Sequence, residues 1–118
     1  MNNSDLIKNI IKTLDDKKAI DIKAIEIKEL TIVADCFIIA SGTSSTHVKA
    51  LAGEVEDALS KQGVEPLHIE GRATGWILLD YTGVLVHVFT GESRDYYNLE
   101  RLWQDAKAVD ISDIFTED

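Results

Sequence analysis

Hydrophobic positions near the start of the chain recur at spacings of three and four residues. Over residues 4–18 they form one stripe, which consists of Leu6, Ile7, Ile10, Ile11 and Leu14. Because 3.6 residues complete a helical turn, such a stripe lies along one side of a helix. The pattern therefore predicts an amphipathic helix over residues 4–18, with Ser4 as its N-cap.

Two later stretches show the same helical spacing. The first follows Ser44 or Ser45, either of which can cap a helix, and ends at Gly63, which provides a left-handed stop. Its apolar stripe is Val48, Leu51, Ala52, Val55, Ala58 and Leu59. The second predicts a third helix from Ser93, with an apolar side made of Tyr96, Leu99, Leu102, Trp103 and Ala106.

Between the helices, apolar residues follow the patterns of β-strands. Residues 22–27 alternate in polarity, as in a half-buried strand, whereas residues 36–40 are continuously apolar, as in a central strand covered on both sides. Three more strand-like runs cover residues 67–70, 76–81 and 84–90. Thr82 and Gly83 separate the last two runs and predict a tight hairpin.

The predicted elements follow the order α-β-β-α-β-β-β-α. This order is typical of an α/β fold in which a mixed β-sheet has helices packed mainly on one face. No linker or repeat divides the chain, so we expect residues 1–118 to form one domain. Residues 107–118 are acidic with scattered apolar side chains, and we expect this tail to be loosely ordered or docked at an edge.

The predicted hairpin sorts its side chains into two faces. With the Thr82-Gly83 pair at the turn, Leu78 lies opposite His87 and Trp76 lies opposite Phe89. One face is aliphatic (Ile77, Leu79, Tyr81, Val84, Val86, Val88), and the other carries Trp76, Leu78, Asp80, Leu85, His87 and Phe89. Aromatic residues beside His and Asp are typical of a protein interface. Alternatively, the third helix covers Trp76 and Phe89, and His87 is a structural histidine.

Charge and composition limit the classes of partner. Twelve Lys and Arg against twenty-one Asp and Glu give a net charge of −9, which disfavours the phosphate backbone of nucleic acids and favours a basic protein partner. The single cysteine, Cys36, cannot close an internal disulfide. Neither a signal peptide nor an apolar run long enough to span a bilayer is present, so we expect a cytoplasmic protein.

Few residues suggest catalysis. The loop from Gly42 to Ser45 joins a strand to a helix and could bind an anion, but it lacks the lysine of a phosphate-binding loop. A nucleotidyltransferase would also need two carboxylates for Mg²⁺, and Glu54 and Glu56 lie within the second helix where they do not face each other. The three histidines lack the spacing of a zinc site. We therefore expect no enzyme, cofactor or metal, and a nucleotide-dependent transferase using this loop remains the alternative.

Several motifs occur in one order along the chain. They are residues 35–45 (DCFIIASGTSS), Glu70-Gly71, residues 76–80 (WILLD), residues 86–88 (VHV), and the pattern RxxYxLExLW that begins at Arg94. Together they resemble the ribosomal silencing factor family, also called the Iojap family. The similarity covers about residues 7–106, which is nearly the whole chain.

The resemblance implies a domain related to the nucleotidyltransferase fold that lacks the catalytic carboxylates. It implies binding to a basic ribosomal protein, uL-fourteen, on the joining face of the large ribosomal subunit. Small-subunit association would be blocked and translation repressed when nutrients are limiting. It also implies a homodimer when the protein is free. Trp76 and its strand neighbours, among them Leu78 and Phe89, match the family's partner-facing region. His87, Arg94 and Tyr97 match positions close to it, and Glu70 and Asp80 also match. A module that only dimerises is a third hypothesis.

Overall fold

The structure is a computed structural model that describes residues 2–29, 32, 34–71, 75–102, 106–112 and 114, without the side chains of Glu100 and Leu102. Its helices are α1 (Asn3–Asp16), α2 (Ser45–Ser60), α3 (Gly91–Tyr97) and α4 (Leu99–Leu102). Its strands are β1 (Ile20–Glu26), β2 (Cys36–Gly42), β3 (His68–Glu70), β4 (Trp76–Asp80), β5 (Val84–Thr90) and β6 (Lys107–Ala108). None of the described helices has both the length and the apolar composition that crossing a bilayer requires.

The described strands form one mixed sheet in the order β3-β4-β5-β2-β1-β6. β2 and β5 are parallel, and the remaining neighbours are antiparallel. This confirms the predicted fold class. Part of the acidic tail adds an edge strand, because Lys107 and Ala108 pair with β1 and the Val109 amide donates to the Ala24 carbonyl at 2.9 Å.

The larger core lies between α1, α2 and one face of the sheet. Ile10, Leu51 and Val86 are fully buried there, and the rest of the predicted aliphatic hairpin face is buried with them. Each such side chain contributes about 1.5–3 kcal/mol when it leaves water.

The N-caps of the two long helices agree only in part with the sequence. Ser44, one of the two predicted candidates, caps α2. The N-cap of α1 is Asn2 and not the predicted Ser4, because the Asn2 side chain accepts a hydrogen bond from the Asp5 amide at 2.8 Å.

The other sheet face carries a smaller apolar cluster partly covered by the C-terminal helices. Phe37, Ile39 and Phe89 form its buried centre, and Leu99 packs against it. The predicted third helix is wrong in its extent, because Asn98 adopts a left-handed conformation (φ 47°) and separates α3 from α4. The predicted helical positions 103–105, which include a tryptophan, lie outside the described residues.

The hairpin between β4 and β5 has the predicted register. Leu78 lies opposite His87 and Trp76 lies opposite Phe89. At the turn, Thr82 has a φ of 72°, and its amide donates to the Asp80 carboxylate at 2.8 Å. The mixed face of the hairpin is therefore opposite the large core, beside α3.

Candidate functional site

An aromatic cluster lies where β4, β5 and α3 meet. The half-buried indole of Trp76 stacks on Phe89 from the neighbouring strand, with ring centroids 5.1 Å apart and an interplanar angle of 27°. Tyr97, near the end of α3, lies 4.6 Å from the Trp76 ring on centroids and is 46% exposed. The cluster thus combines a buried base with an exposed aromatic surface, as interface anchors commonly do.

Beside this cluster is a cleft of about 300 Å³, which we call the Trp76 cleft. Its lining residues are Glu70, Gly71, Gly75, Trp76, Leu78, Ser93 and Tyr97. A side chain at Gly75 would place Cβ 2.6 Å from the Ser93 hydroxyl oxygen. Glycine at this position therefore allows α3 to approach the start of β4, and this approach forms one wall of the cleft.

One acidic side chain, Glu70, lines the cleft, and a second, Asp80, lies further along β4. Glu70 lies at the end of β3 with its side chain 63% exposed, and Asp80 lies at the end of β4 with 18% exposed. The His68 imidazole lies between the two carboxylates. Its Nε2 is 2.6 Å from a Glu70 carboxylate oxygen, and its Nδ1 is 3.7 Å from an Asp80 carboxylate oxygen. These carboxylates give the surface a charge that suits a partner with Lys or Arg.

His87 lies at the N–H edge of the indole and is buried. It is 4% exposed, and its Nδ1 accepts a hydrogen bond of 3.1 Å from Trp76 Nε1. Desolvation lowers the pKa of His87 from 6.5 to about 4, so the imidazole is neutral at physiological pH.

The structure brings five of the eight predicted interaction residues to the surface. These are Glu70, Trp76, Leu78, Asp80 and Tyr97. The other three lie close to them but are buried: His87 at 4%, Phe89 at 0% and Arg94 at 7% exposure. Phe89 lies beneath the indole and 6.3 Å from the Tyr97 ring of α3, which agrees in part with the alternative that the third helix covers Phe89. The three buried residues support the surface from below.

Arg94 fastens α3 to the sheet. Its guanidinium Nη1 donates to the Asp21 carbonyl at 2.8 Å and to the Ser41 hydroxyl at 2.9 Å. Since Tyr97 is one helical turn further along α3, this anchor also fixes the tyrosine against Trp76. The burial of Arg94 thus has a structural explanation.

Sequence reasoning missed Gly75 and Ser93 as residues of the cleft. A glycine directly before an aromatic strand was an available signal, because such a glycine commonly marks a close approach of another segment. The contribution of Ser93 depends on how α3 packs. No local pattern in the sequence indicates that packing.

In the loop from Gly42 to Ser45, which could bind an anion, a backbone amide is already hydrogen-bonded within the chain. The Thr43 amide donates to His47 Nδ1 at 2.9 Å, and His47 Nε2 lies 3.0 Å from the Lys17 carbonyl oxygen. An amide that a phosphate would need is thereby used within the chain. Among the residues that the structure describes, no group of three or more His, Cys, Asp or Glu side chains is arranged to hold a metal ion.

Comparisons with known proteins agree with the sequence motifs. The family model described as "Ribosomal silencing factor during starvation" matches residues 1–118. The chain is 38% identical over 117 residues to ribosomal silencing factor RsfS of Halalkalibacterium halodurans, covering 98% of this chain and 100% of that protein. It is 39% identical over 112 residues to RsfS of Bacillus subtilis, covering 94% and 95%. A crystal structure of a Chromobacterium violaceum protein is similar, with a TM-score of 0.85, 37% identity and 88% coverage of both chains.

Proposed function

Because the chain belongs to the ribosomal silencing factor family, we propose that it represses translation by binding the large ribosomal subunit and obstructing the small one. Its partner is the ribosomal protein uL-fourteen on the joining face of the large subunit. The Trp76 cleft is the contact surface, and the protein acts in the cytoplasm under nutrient limitation. The function is binding and not catalysis.

The half-exposed indole of Trp76 is the observation that best supports this proposal. Phe89 supports the ring from below and Tyr97 contacts it from the side, so the indole needs little reordering when a partner covers it. Preordered aromatic side chains lose little conformational entropy on binding and are enriched at the energetic centres of interfaces. Partner side chains would enter the Trp76 cleft beside Leu78.

Charge supports a basic protein as the partner. The chain carries a net charge of −9, Glu70 lines the cleft, and Asp80 lies further along the same strand as Trp76. Opposite charge on the partner would speed the encounter, while repulsion from exposed ribosomal RNA would limit nonspecific adhesion. We expect salt to weaken binding only moderately, because the aromatic contacts do not depend on ionic strength.

Repression by this protein requires only that it occupy space. The molecule has a radius of gyration of 13.0 Å and extends 32–34 Å along each principal axis. A standard interface of about 800 Å² per partner would fix such a body on the joining face. The small subunit could then not approach.

In the free protein we propose that two copies form a homodimer.

The first test is co-sedimentation of Trp76→Ala with purified large subunits, compared with Ile32→Ala. Ile32 is an exposed apolar residue on the loop between β1 and β2 and provides a matched loss of surface hydrophobicity. We expect Trp76→Ala to lose binding while circular dichroism shows an unchanged fold, and Ile32→Ala to bind as the parent protein does. Full retention by Trp76→Ala would contradict the assigned surface.

A second experiment separates obstruction from the alternatives. Subunits are mixed in a sucrose gradient with the protein added before or after joining. Obstruction predicts fewer joined ribosomes only when the protein is added first. Saturable binding of Mg-ATP or Mg-CTP with turnover would favour a transferase instead. Self-association without any large-subunit binding would favour a module that only dimerises.

A further inference from the structure

His87 and Trp76 lie diagonally across the β4 and β5 pair. Leu78 is directly opposite His87, and Trp76 is two residues before Leu78 on the same face. Large side chains at such diagonal positions on one face of an antiparallel pair can contact each other. The two rings meet with centroids 5.9 Å apart, and the indole N–H is directed at His87 Nδ1.

The hydrogen bond defines the protonation state of the imidazole. Since Nδ1 accepts the indole proton, the ring proton of neutral His87 must be on Nε2. Nε2 is buried and has no hydrogen-bond partner among the described residues. A side chain with one unsatisfied buried atom is costly for stability. Its bond to Trp76 is the described polar interaction that offsets this cost.

Neighbouring rings hold the imidazole in place. Phe37 of β2 meets it edge to face, with centroids 4.6 Å apart and an interplanar angle of 64°. Phe89 lies nearly parallel to it at 6.2 Å. Since both phenylalanines are buried, the acceptor atom has a defined position before any partner arrives.

We propose that His87 is a positioning residue for partner recognition, because it accepts the Trp76 indole N–H and thereby fixes the ring as a wall of the Trp76 cleft. The indole proton is used inside the protein, so the partner meets the ring's apolar surface. Recognition at this point therefore depends on apolar contact or on a cation over the ring. The proposal rests on the proposed function, since it concerns the same surface.

The test compares two substitutions of His87 with a control. His87→Phe keeps a ring but removes the acceptor, whereas His87→Asn keeps an acceptor close to the position of Nδ1. Tyr81→Phe is the matched control, because it also removes a buried polar atom without a described partner, on the opposite face of the sheet. Two readouts are needed: large-subunit affinity, and the indole N–H signal of Trp76 in ¹⁵N NMR spectra of the free protein.

We expect His87→Phe to weaken binding about tenfold, the equivalent of one typical hydrogen bond, and to shift the Trp76 indole signal and speed its exchange with water. His87→Asn should restore both readouts, and Tyr81→Phe should change neither. In a Trp76→Phe background, His87→Phe should cause no further loss, because no indole N–H remains to be oriented. Equal binding by the parent and His87→Phe would overturn the proposal.

The parent protein alone provides a check that needs no substitution. Its histidine ¹⁵N shifts should show His87 protonated at Nε2, and its Trp76 indole N–H should exchange slowly. A proton on Nδ1 would also overturn the proposal, whether or not the variants fold. Failure of the proposed function is distinguishable, because the parent protein itself would then not bind large subunits while the hydrogen bond remained visible.

Discussion

The Arg94 guanidinium donates a hydrogen bond of 2.9 Å to the Ser41 hydroxyl, and both residues are buried. The bond ties α3 to the end of β2, close to the point where β2 enters the loop before α2. It therefore connects the helix that carries Tyr97 with the central parallel strands of the sheet. A buried charged donor makes the geometry of this junction costly to change.

Removing the acceptor should destabilise the fold moderately. Ser41→Ala leaves the Asp21 carbonyl as a described acceptor of the guanidinium, so we expect the free energy of unfolding to fall by about 1–2 kcal/mol. Urea denaturation measures this change. Ser60→Ala, which removes an exposed hydroxyl on α2 bonded to Glu65, should change it by less than about 0.5 kcal/mol. Equal effects of the two substitutions would contradict a special role for the Arg94–Ser41 bond.

Phe89 and Tyr96 should differ sharply when each is replaced by alanine. Phe89 is fully buried beneath Trp76, so its truncation should lower the free energy of unfolding by about 3–5 kcal/mol through lost burial and a cavity. Tyr96 is 82% exposed and its truncation should cost less than about 0.5 kcal/mol. Chemical denaturation of both variants checks this. A loss below 1 kcal/mol for Phe89→Ala would mean that its ring belongs to the outer surface.

The hairpin was predictable because its turn and its alternation are local properties. Thr82 and Gly83 set the register, and a period of two then assigns every side chain to a face. The burial of Phe89 and His87 was not predictable in the same way. It depends on neighbours from distant segments, such as Phe37, and on the break at Asn98 that directs α4 back over the sheet face.

Helix ends show the same division between local and tertiary information. Ser44 caps α2 through a bond to an amide three residues later, and Gly63 has the expected left-handed conformation (φ 80°). Both features follow from residue type at a short spacing. Asn98 was missed as a helix end because the hydrophobic stripe continues past it, and asparagine is a less common left-handed terminator than glycine. Periodicity shows which side of a helix is buried but not where the helix is interrupted.

Acid should destabilise the protein through His87. The pKa of His87 is about 4 when folded and 6.5 as an ordinary value, so between these values the unfolded chain binds a proton that the folded chain does not. The contribution is constant above pH 6.5, and the free energy of unfolding should fall by up to about 3 kcal/mol as the pH drops to 4. Urea titrations of the parent and His87→Asn at several pH values isolate this term. Identical pH dependence of the two proteins would show that His87 is not held neutral by burial.

Glu70 should control how quickly the protein finds its partner. Its carboxylate is exposed beside the Trp76 cleft, where it would attract a basic surface before contact is made. Glu70→Gln should therefore reduce the association rate constant with large subunits several-fold at low salt, with little change in the dissociation rate, and the difference should shrink as salt is added. Stopped-flow measurements over a range of ionic strength resolve the two rates.

Asp57→Asn is the control for that measurement, because it removes the same charge from an exposed position on α2, away from the cleft. If the net charge of −9 alone guides the encounter, both substitutions should slow association equally. If the charge beside the cleft guides it, only Glu70→Gln should do so, because an exposed charge more than about 8–10 Å from the contact is largely screened at physiological salt. The ratio of the two effects thus measures how far electrostatic steering is concentrated at the Trp76 cleft, and a ratio near one would exclude Glu70 from that role.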